Sequence, residues 1–346
     1  LNEVLANSDG PLLDQIELFN STDAALDLNG WYLSDSNDNY FKFRFGAMSQ
    51  IDANGYLVLN EQELGFALNG TVGDDLTLLQ SDVDGRPLRF VDRVEFGAVR
   101  SGQTLGRWPD GAGRLFPMSS PTLGSVNAGP IAPDIVISEV HYEPLDPDGA
   151  SPLSEADVEF VEITNVTDTG IDLSGWRVAG DIGLTLAENT TLSPGESLVI
   201  VPFDPVADQG EAGVFRLLFP DLNATVVGPF EGTLDNTSGT VRLLQPGAPA
   251  IGEPDVVGYH LIDQVTYENL SPWPTDLNAT GKSLTRTTAD AFGGFANSWR
   301  SANASPGEAA FDTGMPGDFT GDNLVDARDI DHLCSEIRQQ SAELAL

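Results

Sequence analysis

The chain is a succession of short apolar runs cut by turn residues. Phe41 to Phe45, "FKFRF", alternates aromatic and basic side chains, the period of two that sets one face of a strand against a core. "YLVLN" from Tyr56, "LTLLQ" from Leu76, "FVDRVEF" from Phe90, "TVRLL" from Thr240 and "LIDQVTY" from Leu261 are rich in β-branched, leucine and aromatic residues. Gly, Asn, Asp or Pro bounds each of them, as expected of strands. Helical periodicity is confined to "VFRLLFPDL", Val214 to Leu222, ended by Pro220, and to the C-terminal segment.

The strand pattern occurs twice. "LDLNGWYLSD" from Leu26 returns as "IDLSGWRVAG" from Ile171, and "NEVLA" from Asn2 as "SEVHY" from Ser138. "DQIELFN", ending at Asn20, answers "EFVEITN", ending at Asn165, and eleven positions then lead to Trp31 and to Trp176. Further on, "IDANGYLVL" from Ile51 matches "LSPGESLVI" from Leu192, "DDLTLLQ" matches "GTVRLLQ" from Gly239, and "FVDRVEFG" matches "LIDQVTYE". Each copy closes in small residues, "SPTLGSVNAG" or "NASPGEAA". A tandem duplication accounts for this, with the boundary in the linker "NAGPIAPD", Asn127 to Asp134. With about eight runs per copy the fold class is all-β, two tandem sandwiches or barrels.

In "LDLNGW" the pair Asn29-Gly30 supplies residues that tolerate positive φ, and the tryptophan that follows opens a strand with a large side chain to bury. The motif is read as setting strand register. Chemistry is not its expected role.

These residues resemble the lamin tail domain, an immunoglobulin-like β-sandwich of nuclear lamins and of many secreted bacterial proteins. The resemblance rests on "NEV/SEV", "IELFN/VEITN", "DLNGWYLSD/DLSGWRVAG", the "YLVL" strand and "LGRWPDG" from Leu105. It places one sandwich at residues 1–129 and a second at 134–310. The second copy has an insert at about Asp204 to Leu222 and lacks "GRWPDG"; "SPWPTD", Ser271 to Asp276, is a candidate equivalent. The family implies an interaction or structural module and carries no catalytic residues across.

Composition narrows the partners. The 346 residues hold 16 Lys and Arg against 53 Asp and Glu, a formal charge of -37. Nucleic acid would be repelled at every phosphate, and an anionic membrane surface is disfavoured likewise. No run of eighteen or more apolar residues is present, so no membrane insertion is expected. Cys334 is the single cysteine, which rules out an internal disulfide and reads as a small apolar helix residue. The first residue, Leu1, fits a processed chain or a fragment.

The last segment, 314–346, departs from the β pattern. "DFTGDNLVDARD" puts Asp318, Thr320, Asp322, Asp326 and Asp329 at positions one, three, five, nine and twelve of a calcium loop. The carbonyl of Leu324 falls at seven, Asn323 stands where glycine is usual, and Val325 supplies an apolar plug. Ile330, Leu333, Cys334 and Ile337 then follow at helical spacing. Loop and helix resemble one repeat of a dockerin, which implies Ca2+ as the bound ion and a cohesin-like partner. Thr320 and the short Asp329 are expected to weaken the site; a solvated acidic linker is the alternative.

Other constellations are weak. His141, His260 and His332 lack any metal or nucleophile motif; the first two are read as structural, although both lie in the second copy. Glu17 and Glu162 recur at one fold position, each a single carboxylate, whereas glycoside hydrolysis needs a facing pair. The eight N-x-S/T sites, from Asn20 to Asn303, are glycan acceptors in a eukaryotic secretory chain and turn residues in a bacterial one. The resulting expectation is a noncatalytic extracellular or cell-surface protein that meets a polysaccharide, a cell-wall component or another protein, with a calcium-dependent tail. Two alternatives stay open: a part of a secreted carbohydrate-active hydrolase, or a structural spacer. Trp108, Trp273 and Trp299 are the candidates for sugar stacking.

Overall fold

The computed structural model describes residues 1–8, 12–82, 84–145, 154–250, 252–277, 280–309 and 311. The expected calcium loop, Asp318, Thr320, Asp322, Leu324, Asp326 and Asp329, lies outside them, as do His332 and Cys334. Within them the chain forms two β-sandwiches built to one plan.

In the first, a five-stranded sheet runs in the order Leu115–Pro117, Leu105–Arg107, Glu3–Leu5, Gln15–Phe19, Tyr56–Asn60. Facing it is a four-stranded sheet, Phe43–Arg44, Tyr32–Ser34, Gly73–Ser81, Pro87–Gly97. The second copy repeats both orders. Its first sheet is Thr225–Val227, Ser197–Ile200, Phe160–Asn165, Ile135–His141, Lys282–Arg286, Trp299–Asn303. Its second is Glu231–Gly232, Ile182–Thr185, Arg177–Gly180, Ser238–Ala250, Glu253–Glu268. The first of each pair is called the tail sheet below, and the second the hairpin sheet, after the long hairpin at its edge. Even the hairpin irregularity is duplicated, with the register shifting between Leu78 and Leu79 in one copy and between Leu243 and Leu244 in the other.

Alternation buries one face of each sheet. Val4, Ile16, Leu18, Leu76, Leu78, Val94 and Phe96 meet in the first core, and Val140, Val161, Ile163, Val241, Leu243, Val265 and Tyr267 in the second. Trp31 and Trp176 join these cores at 5% and 4% exposure. Each follows a turn in which the tryptophan N–H donates to Leu28 O or Leu173 O, and the glycine before it sits at φ 84° or 72°. Only that third turn position needs positive φ, as a type II turn requires, which is why Asn29 exchanges freely with Ser174. The side chains of Asp27 and Asp172 accept from the backbone N–H two residues on, closing the same turn from outside.

Several expectations need correction. Within "FKFRF" only Phe43–Arg44 is strand; Phe45 is buried, while Phe41 is 48% exposed and packs edge-on against Tyr32. The helix in the insert covers Gln209–Leu218, starting before Val214 despite Gly210 and Gly213, and ending ahead of Pro220, which disfavours helix at Phe219. Its Ala212 and Phe215 cover Phe160, Val199 and Val201, so the insert roofs the outer face of the second tail sheet. A one-turn helix, Glu61–Leu64, also forms, set by a capping box between Asn60 and Glu63. "SPWPTD" is not the counterpart of "GRWPDG": the strand that pairs with Glu139 and Val140 is Lys282–Arg286, so Arg286 occupies the place of Arg107.

That register exposes a second duplicated feature. Arg107 pairs with Asp92 at 2.9 Å, together with the Leu1 ammonium, and Arg286 pairs with Asp263. In the second copy both partners are shut off from water, at 0% and 5% side-chain exposure. Asp263 also accepts from the Ile137 N–H at 2.8 Å.

Candidate functional site

The recurrent carboxylates come first, because the fold gives each a partner. Glu17 lies opposite Glu3, and Glu162 opposite Glu139, in antiparallel register; all four are buried. The expectation of isolated carboxylates is therefore corrected. Period two places them on the outer faces of the tail sheets, where the small-residue tail of each copy folds back over them.

Both tails make the same turn. Ser125 N–H donates to Thr122 O, Glu308 N–H to Ser305 O, and Gly124 and Gly307 both sit at φ 89°. Glu3 accepts from the Thr122 N–H at 3.0 Å and Glu17 from the Gly124 N–H at 2.5 Å. Glu139 accepts from the Ser305 N–H at 3.0 Å and Glu162 from the Gly307 N–H at 2.6 Å. Two carboxylates thus grip two N–H groups of one turn, in each copy. Burial outweighs these bonds and pushes Glu17 and Glu139 up to about 7, and Glu162 upward as well. Buried and bonded to both backbone and side-chain donors, the pairs hold the tail; they offer no face to a substrate.

Asn20 and Asn165 are buried likewise. Their amides donate to Ala24, Ile51 and Asp52 carbonyls, and to Thr169 and Leu192 carbonyls, respectively. Their side-chain oxygens accept from Thr22 and Thr167, so the N-x-T spacing at these two sites serves a turn. His141 and His260 do not form a common site. Nε2 of His141 lies 3.1 Å from Gly281 O, with the ring against Phe160 and Phe219, and burial pulls its pKa down to about 4. His260 lies on the hairpin sheet, against the first sandwich. Trp273 and Trp299 are buried and Trp108 is half-buried, with Gly129 beside its ring, so none of the three is a free stacking platform.

An open site does exist between the sandwiches. Pro87–Gly97 and Glu253–Glu268 are edge strands of their hairpin sheets, and they meet in a single parallel bridge, Ala98 to His260. Glycine permits the approach, since a Cβ on Gly258 would fall 2.1 Å from Thr71 O and one on Gly97 2.6 Å from Tyr259 O. Arg100 donates to Gln245 Oε1 at 2.6 Å beside the bridge, and Phe116 meets Phe292 edge-on at 4.6 Å at a further contact.

The two sandwiches part elsewhere around a cleft of about 630 Å³. Arg93, Arg107, Arg114 and Arg242 line it, four of the 16 basic residues in a chain of charge -37. Arg93 lies 3.6 Å from Asp75, and Arg107 is held by Asp92. Arg242 forms no ion pair among the described residues, and its buried Nε has no hydrogen-bond partner. Beside it Arg177 stacks over the Tyr259 ring at 4.0 Å. Glu95 is the acidic member of the lining. Such an arrangement suits an anion: guanidinium forks bind carboxylates through paired N–H donors. Among the described residues, no group of three or more His, Cys, Asp and Glu could hold a metal ion.

The lamin tail domain family matches residues 1–97 and 130–268, more than half of the chain, and the chain belongs to that family. Its immunoglobulin-like fold is noncatalytic and gives the chain a structural or interaction role. No match is found among curated proteins. A solved DUF4876 family protein from Bacteroides thetaiotaomicron is similar at 12% identity, covering 90% of this chain and 98% of its own, with a TM-score of 0.31. No described helix is long and apolar enough to cross a membrane.

Proposed function

We propose that the chain is a noncatalytic extracellular interaction protein whose cleft binds an acidic polysaccharide at the cell surface. The observation that carries the reading is the gathering of Arg93, Arg107, Arg114 and Arg242 around one interdomain cavity in so acidic a chain. Its volume suits a short carboxylated segment better than a flat protein face. On the same reading the tail binds Ca2+ through Asp318, Thr320, Asp322, Leu324, Asp326 and Asp329 and docks on a cohesin-like partner.

Titration calorimetry with a uronic-acid oligosaccharide tests the cleft. Saturable binding is expected, lost in an Arg114→Gln/Arg242→Gln variant and absent for the neutral oligosaccharide of the same length. Binding of an acidic peptide in place of the sugar, or equal binding by the variant, overturns the assignment. Calcium titration of the chain against an Asp318→Ala/Asp322→Ala variant tests the tail separately: one saturable site lost in the variant is expected, and diffuse heat unchanged in the variant refutes it.

A further inference from the structure

The sandwiches are joined by the linker, beside which Phe116 meets Phe292, and again where Ala98 bridges His260. The arginine cleft borders both places: Ala98 and Tyr259 line it at the bridge, Leu115 and Gln264 toward the linker. The bridge is slight. Apart from its backbone pairing it has the Arg100 to Gln245 bond, and it relies on the bare backbones of Gly97 and Gly258 for the close approach.

The imidazole at this bridge is placed to stay neutral. Nδ1 of His260 is buried and has no hydrogen-bond partner, so a second ring proton would point at nothing that accepts it. Its cross-strand neighbour is Gln245, whose Oε1 is already taken by Arg100 at 2.6 Å. Space is short on the other side as well, where a Cβ on Gly247 would stand 3.0 Å from Nε2. Arg100, reaching over from the first sandwich, is the charge that acts on the ring, and its sign repels an imidazolium. The hairpin sheet itself adds Arg242 in the cleft wall and Arg177 over the adjoining Tyr259; the carboxylate of the lining is Glu95. Burial outweighs a bond to the Ala98 backbone and, with Arg100, holds the ring below its ordinary pKa of 6.5.

We propose that the bridge is an acid-sensitive latch: protonation of His260 parts the two sandwiches there, and the linker with the Phe116–Phe292 contact is the hinge about which the arginine cleft opens. The joined form selects the neutral ring, so the latch is at full strength above about 6.5 and is lost as pH falls below it. A ring released to water and titrating at 6.5 is protonated by about thirty to one at pH 5, so the equilibrium shifts toward the parted form by up to about thirty-fold. A contact between domains of one chain is commonly weak enough for such a factor to tell. The carboxyls raised by burial, Glu17, Glu139 and Glu162, close on tail turns within one sandwich, and His141 is buried within the second, so none of them lies in the latch. The inference is independent of what the cleft binds.

Small-angle scattering of the full chain at pH 8 and pH 5, at one ionic strength and at matched forward-scattering mass, tests it. The radius of gyration is expected to rise at pH 5 in the parent chain. His260→Phe keeps a ring in the contact and takes up no proton, so its radius is expected to be the compact one at both pH values. His260 belongs to neither hydrophobic core, which leaves both sandwiches of the variant folded. A second arm reads the ring directly: its NMR titration in the parent, assigned by its disappearance in His260→Phe, is expected to have a midpoint below 6.5. A parent radius equal at both pH values, an increase that His260→Phe retains, a variant already extended at pH 8, or a ring that titrates at or above 6.5 would each overturn the proposal.

Discussion

Replacing Glu17 by Gln gives a pH signature that follows directly from the clasp. The carboxyl is fully buried, accepts from Asn2 Nδ2 at 2.8 Å and from the Gly124 N–H at 2.5 Å, and burial lifts it from 4.5 to about 7. At 1.36 kcal/mol per unit, that rise corresponds to about 3 kcal/mol of stability. Because the folded value is raised, the contribution is complete below about 4.5 and is lost as pH climbs through about 7. Glutamine carries no such dependence. At pH 5 its amide N–H₂ confronts one of the two donors, an unsatisfied buried contact that costs about 1–3 kcal/mol. Between pH 5 and 8 the parent loses its protonation advantage, so the deficit of the variant is expected to shrink by up to about 3 kcal/mol. Urea denaturation of both proteins across that range measures it, and the difference cancels contributions common to both, including His141, whose lowered value acts in the opposite direction. A deficit constant with pH, or one that grows toward pH 8, would falsify the claim that desolvation dominates at this carboxylate.

Other consequences are as sharp. Arg286→Met strands Asp263 in the core and should cost about 3–5 kcal/mol, part of it recovered by adding Asp263→Leu, which still leaves the Ile137 N–H without its acceptor; a double variant no more stable than Arg286→Met would show that the stranded charge is not the source of the cost. Asn165→Asp turns two donors aimed at Thr169 and Leu192 carbonyls into acceptors and should lower stability by about 2–4 kcal/mol; a melting curve within error of the parent refutes that reading. Gly258→Val places side-chain carbon against Thr71 O, so small-angle scattering should show a larger radius of gyration while both sandwiches stay folded; an unchanged radius would show that the strands meet elsewhere.

How far the sequence discloses this molecule depends on the range of the contacts involved. The tryptophan turn is local, and the ten-residue match from Leu26 and Ile171 fixes it in both copies. Glu3 and Glu139 were in plain view in "NEV" and "SEV", yet period two alone puts them on a solvent face; only the return of Thr122 to Ser125 and of Ser305 to Glu308, more than a hundred residues later, buries them. Arg286 was masked by the Trp-Pro match in "SPWPTD", because similarity of letters competes with strand pairing, which a single sequence does not display. The capping box at Asn60 and Glu63 is a local sequence signal, while the glycines of the insert conceal the start of its helix. The cleft has no linear signature, since Arg93, Arg114 and Arg242 converge only once the two edge strands meet.

The comparison of the copies also says where function resides. What duplication has kept is inward or closing: the tryptophan turn, the hairpin bulge, the Arg-Asp pair, and the two glutamates on the tail turn. Beyond the insert over the second tail sheet, part of what it has changed lies on the outer faces of the hairpin sheets. There Thr77 is answered by Arg242, Tyr32 by Arg177, and Leu88 by Tyr259, so the face beside the neighbouring sandwich has gained arginines where the other carries the exposed Leu88 and Phe90. A buried core resists change because every substitution meets packed neighbours, whereas an outer face diverges when its two copies meet different partners. The first sandwich is one such partner, fitted to the basic face.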